Sequence, residues 1–101
     1  MAFESFKSRS QFNGIRIIRG SFSISRAFYK ELGESKHIEV QIDVENSLVG
    51  IIPLPEATEG SYQAKVYHSS PKVGANISSR LLLGRYIYWK KEGDMFICKK
   101  L

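Results

Sequence analysis

Cysteine occurs once in the 101 residues, at Cys98, so neither an internal disulfide framework nor a cysteine-based zinc cluster is open to this chain. Histidine occurs twice, at His37 and His68, and neither has a close His or Cys partner, which argues against a structural metal site. No cofactor is expected. Long apolar runs are missing too: Leu81-Leu82-Leu83 falls far short of the ~20 residues that span a bilayer, so no membrane partner is expected. Met1-Ala2-Phe3-Glu4-Ser5-Phe6-Lys7 is mixed and polar rather than charged and then apolar, which predicts a cytoplasmic protein. Gly14, Gly20 and Gly33 are too scattered for a phosphate-cradling loop, and no Ser/His/Asp or Cys/His constellation stands out. Glu31 and Glu34 fall at a helix end and read as solvated. Together these absences predict that the chain is not an enzyme.

What is present is a globular composition, 43% hydrophobic and 12% aromatic. The length fits one ordinary domain, or two small repeats that share a core. Fifteen Lys and Arg against ten Asp and Glu give a net charge of +5, which permits a nucleic-acid partner without requiring one.

The charge is unevenly spread. Residues 1–30 hold six bases (Lys7, Arg9, Arg16, Arg19, Arg26, Lys30) and one acid, Glu4. Residues 31–60 hold one base, Lys36, and seven acids (Glu31, Glu34, Glu39, Asp43, Glu45, Glu56, Glu59). Residues 61–101 hold eight bases and only two acids, Glu92 and Asp94. Such runs are commonly solvated faces. The sharper reading is a dipolar molecule with a basic surface for phosphates.

Residues 1–13 lack a clean period and read as an N-terminal arm. Ile15-Arg16-Ile17-Ile18-Arg19 alternates as a strand, and Phe22-Ser23-Ile24 as a second. Ser25 is a good helix N-cap for residues 26–32, a helix of about two turns that buries Phe28 and Leu32. Gly33 suits the left-handed position that ends it. Ile38-Glu39-Val40-Gln41-Ile42 is strict alternation, Asp43-Val44-Glu45-Asn46 a turn, and residues 47–52 the returning strand, ended by Pro53. Residues 55–60 form a linker.

The order then recurs. Residues 62–68 alternate as a strand, 69–72 form a loop, and Ala75-Asn76-Ile77 is a short strand. Ser78 caps a second short helix ending at Gly84. Residues 85–90 and 95–98 form a hairpin about the turn Lys91-Glu92-Gly93-Asp94. Phe22-Ser23-Ile24-Ser25 aligns with Ala75-Asn76-Ile77-Ser78. The chain therefore reads as β-β-α-β-β written twice, over residues 14–54 and 61–101: a mainly β protein with two short helices around one core.

The run Arg19-Gly20-Ser21-Phe22-Ser23-Ile24-Ser25-Arg26-Ala27-Phe28-Tyr29-Lys30-Glu31-Leu32-Gly33, then Ile38 to Ile42, then Val49-Gly50-Ile51-Ile52-Pro53-Leu54, resembles the AbrB/MazE swapped-hairpin DNA-binding domain. The resemblance covers residues 14–54, with a weaker echo in 61–101. Where that family has Ile-Pro before its helix this chain has Ile24-Ser25. Where it has Pro-Gly-Asp after the helix, this chain has Glu34-Ser35-Lys36-His37. The resemblance implies two half-barrels in one chain, closing as a monomeric pseudo-dimer or else as a homodimer. It also implies regulatory DNA binding through Arg16, Arg19, Arg26 and Lys30. The second half adds Lys65, Lys72, Arg80 and Arg85, with Arg19 placed opposite Lys72 by the two-fold relation. A face of seven or eight such residues would bind in a strongly salt-dependent way.

Two alternatives stay open. Tyr86 and Tyr88 share one face of their strand, among Arg85, Lys90 and Lys91, where a pair of rings would stack bases of a single strand. Ile87 and Trp89 take the other face. The acidic middle third would instead suit a phage-type inhibitor that docks a basic protein partner.

Overall fold

The computed structural model describes residues 12–66 and 70–101. Of the expected N-terminal arm, residues 1–11 lie outside the described residues, as do 67–69 at the end of the strand expected over 62–68. Among the described residues 51% are in strands and 10% helical, so the protein is mainly β.

The first segment behaves as its alternation dictates. β1 (Gly14–Ile18) and β2 (Ser21–Ile24) form a hairpin, with Ile15, Ile17, Phe22 and Ile24 buried and Arg16 outside. The helix α1 (Arg26–Glu31) follows. Ser25 caps it: its Oγ accepts the Phe28 N–H at 3.2 Å and also the Gly14 N–H at 3.1 Å, so one hydroxyl fixes both the helix and the start of β1. Gly33, at φ +74°, and Glu34 close the helix, and the Glu34 N–H donates to the Tyr29 carbonyl at 2.9 Å. The helix buries Phe28 and Tyr29, and Leu32 is buried just beyond it.

β3 (His37–Asp43) and β4 (Leu48–Leu54) make the next hairpin. Contrary to expectation, Pro53 does not end β4 but lies within it, opposite Ile38. β4 pairs with its other neighbour only through Leu48 to Ile51, so the missing proline N–H falls beyond that ladder and costs it nothing. Residues 55–60 then cross, exposed and without strand, to β5 (Tyr62–Lys65) and the two-residue β6 (Lys72–Val73).

A second departure lies here. The strand expected over Ala75 to Ile77 sits earlier, at Lys72–Val73, and Ile77–Ser79 form a single 3-10 turn. Asn76 rather than Ser78 precedes that turn, and it makes no side-chain cap. β7 (Gly84–Glu92) and β8 (Met95–Lys100) end the chain, turning at Gly93-Asp94 rather than at 91–94.

All eight strands join one antiparallel sheet in the order β1-β2-β6-β5-β3-β4-β8-β7, and β7 pairs back onto β1 to close the ring. Exchanging β1 to β4 with β5 to β8 maps every pairing in this ring onto another pairing. The registers give the correspondence. Ile17 faces Phe22 in the first hairpin as Ala64 faces Val73 in the second, so Ala75 stands for Ile24, two residues short of the alignment read from sequence. Ile38, Val40, Val49 and Ile51 point inward where Tyr86, Tyr88, Phe96 and Cys98 do. The β3–β4 ladder is unbroken, whereas β7–β8 shifts register between Tyr88 and Lys90, leaving Trp89 as an inserted residue.

Each hairpin tip rests on the other half. The Gly20 N–H, at the β1–β2 turn, donates to Ser78 Oγ in the 3-10 turn at 3.1 Å, and the Ile24 N–H donates to the Pro71 carbonyl at 2.9 Å. Gly14 is required where β1 crosses β7, because a Cβ there would strike the Tyr86 carbonyl.

Candidate nucleic-acid interface

Strand pairing decides which of the scattered basic residues meet. Arg85 on β7 faces Arg16 on β1, Arg16 faces Ser23 on β2, Ser23 faces Lys72 on β6, and Lys72 faces Lys65 on β5. These five residues form one transverse row across five strands, and its four cations are exposed. At about 4.8 Å per strand the row is roughly 19 Å long. Among the described residues, none of the four cations forms an ion pair. β1, β2, β5 and β6 contain no carboxylate at all.

Like charges set directly opposite one another are unfavourable in a sheet, and Arg16/Arg85 and Lys65/Lys72 are two such pairs with no ion pair to offset them among the described residues. In water each such repulsion costs only on the order of 1 kcal/mol, small enough to keep and large enough to need a reason. The Arg85 guanidinium rests 5.5 Å from the centre of the Phe12 ring.

The other four expected residues flank the row. Arg19 is exposed in the β1–β2 turn, and Arg80 follows the 3-10 turn on which that turn rests. Arg26 and Lys30 are exposed on α1, at the opposite end of β2, beside a hollow they share with Tyr29, Glu34, Val66 and Pro71. The expectation that Arg19 faces Lys72 is corrected: the register puts Ser23 there.

The expected stacking pair is also corrected. Tyr86 is fully buried, its hydroxyl donating to the Leu82 carbonyl at 2.9 Å, and burial raises its pKa. Tyr88 is half-buried, its ring centre 5.2 Å from Phe28 and 5.8 Å from Phe96. Both rings are core, and neither offers a face to a base. The two tyrosines do share a face of β7, but it is the inner one. Among the described residues the exposed aromatics are Tyr62, at 39%, and Trp89, at 48%, the latter with Lys90 Nζ 4.3 Å and Lys99 Nζ 5.2 Å from its ring. The pairing of Tyr88 with Cys98 across the hairpin puts both tyrosines on the buried face.

The acidic residues of the middle third are dispersed over the end of α1, β3, its turn and residues 55–60, while Glu92 and Asp94 lie at the β7–β8 turn, Glu92 paired with Lys90 at 2.9 Å. Asp43 acts within its own turn, where its carboxylate accepts the Asn46 N–H at 3.1 Å and the Asn46 side-chain amide at 2.8 Å, which lowers its pKa. Cys98 is buried, and desolvation pushes its thiol up to about 12. The chain matches no known protein family, and no characterised protein or solved structure is significantly similar to it.

Proposed function

We propose that this chain is a non-enzymatic, regulatory DNA-binding protein, built as two β-β-α-β-β units that close one small swapped-hairpin-like barrel, in the manner of AbrB/MazE domains. The observation that carries the binding reading is the row Arg85, Arg16, Lys72 and Lys65, aligned by four separate strand pairings and free of carboxylates. Four cations in line provide a strip of charge for a phosphate backbone. The Arg16/Arg85 end can fork onto a guanine edge, whereas the Lys65/Lys72 end is suited to phosphate alone. Arg19, Arg80, Arg26 and Lys30 widen the strip at both ends of β2. The exchange pattern of the ring supports the two-unit reading, and it gives the basic first and last thirds a common surface.

The test is binding of labelled DNA over a salt series. The unaltered protein should show affinity falling steeply with salt. Arg16→Ala with Arg85→Ala should weaken binding at low salt and reduce the logarithmic salt slope by about 0.9 for each duplex phosphate that is no longer neutralised. Absence of binding to any nucleic acid at low salt would defeat the reading.

A further inference from the structure

The outer face of β7 continues the basic row. Arg85 ends the row, Ile87 lies two residues further along the same face, and Ile87 faces Lys99 on β8. Trp89 and Lys90 come next. In an unbroken ladder the residue after Tyr88 would pair across from Ile97, but here Lys90 does so and Trp89 is the extra residue. The bulge thus brings an indole and an ammonium to the same outer surface.

That surface is hollowed. A concavity of about 660 Å³ lies over β4 and β8, with Leu48, Gly50, Met95 and Ile97 beneath it, Trp89, Lys99 and the Lys90–Glu92 ion pair on one side, and Asp43 and Asn46 on the other. Ile97 is only 5% exposed yet stands outside the main core cluster, so the hollow has an apolar floor of its own. A half-exposed indole, an apolar floor and the Lys99 ammonium within cation–π reach are the elements of a base-stacking platform beside a phosphate track, while Lys90 over the same ring is held by Glu92 at 2.9 Å.

We propose that the hollow at Trp89 takes an unpaired base of a single nucleic-acid strand whose phosphates run from there along β7 to the row at Arg85 and Arg16. The inference rests on the nucleic-acid reading above and adds strandedness to it. From Lys65 to Trp89 the track is about 30 Å long, four strand spacings and then four residues along β7. A duplex cannot present a base to Trp89 without opening, because its bases are already stacked and paired.

The test uses the whole chain and its single tryptophan. A short oligothymidylate should quench Trp89 emission and bind more tightly than a duplex of equal length at the same salt. Trp89→Ala should weaken the oligothymidylate complex about tenfold, within the range of one stacked base, and leave duplex affinity unchanged. Trp89→Phe should retain most of the affinity, and Lys99→Gln should weaken the single-strand complex and lower its salt slope.

If the duplex binds at least as tightly and oligothymidylate leaves the emission unchanged, the stacking proposal fails while DNA binding stands. Stacking fails equally if Trp89→Ala binds oligothymidylate normally while Arg16→Ala with Arg85→Ala does not. If neither nucleic acid binds the unaltered protein, both readings fail. The quenching measurement needs no variant, so it remains decisive even if Trp89→Ala does not fold.

Discussion

The two halves share a pairing plan but not a content. In the first, Ile17, Phe22 and Ile24 fill the inner face of the short hairpin; in the second the same places hold Ala64, Val73 and Ala75. The first has a capped helix carrying Phe28, whose ring lies against Tyr88 and Phe96 of the other half. The second has one uncapped 3-10 turn. The second half alone has the bulge and the exposed indole. One topology therefore tolerates a division of labour. The first half supplies core volume across the ring, and the second, relieved of that demand, departs from regular pairing where a surface feature results.

Substitutions in the helix of the first half and in the 3-10 turn of the second probe this division. The largest difference is expected in the core. Phe28→Ala removes a fully buried ring and should cost about 3–5 kcal/mol in urea unfolding, whereas Ile77→Ala, on the slightly exposed 3-10 turn, should fall near the lower end for its type, about 2 kcal/mol. Equal losses would break the comparison.

A smaller difference is expected at two serines. Ser25→Ala removes a cap and strands the Gly14 N–H, for a loss of about 1–3 kcal/mol, while Ser78→Ala, which caps no helix and among the described residues bonds Gly20 and Asn76, should cost no more than about 1 kcal/mol.

At neutral pH the smallest effect is at Cys98, which stands where the first half has Ile51. Because its folded pKa is raised from 9.0 to about 12, the native state resists ionisation. Its contribution to stability is therefore full below about pH 9 and declines as pH rises toward 12. Cys98→Val should remove the decline that begins near pH 9 in urea unfolding, leaving only the later contribution of Tyr29 and Tyr86, whose pKa values burial also raises.

Local chemistry made the first half legible. Ser25 and Gly33 bracket α1 because capping and left-handed termination act within a few residues, and the alternation of Ile38 to Ile42 marks a strand face wherever that strand goes. The second half blurs for the same reason. β6 pairs through only two residues, and with small residues on both sides nothing local distinguishes Lys72-Val73 from Ala75-Asn76-Ile77. The basic residues could be named in advance, but the row could not, since Arg16 and Arg85 meet through a register set by chain closure. Tyr86 shows the limit of alternation: it tells which residues share a face and not which face is inside. Trp89 depends on a one-residue insertion in a ladder, which leaves no mark on the sequence beside it.

The closure of the ring also sets a clock. β1 and β4 complete their pairing only against β7 and β8, which follow the other six strands of the ring in the sequence. Of the four strand edges that a nascent first half leaves open, those of β1 and β4 stay unsatisfied until Gly84 to Lys100 have emerged, so assembly is dominated by distant pairings and belongs to the slow, millisecond-to-second regime of folding. During that interval a neighbouring nascent chain offers the same edges, and refolding yield should fall as protein concentration rises.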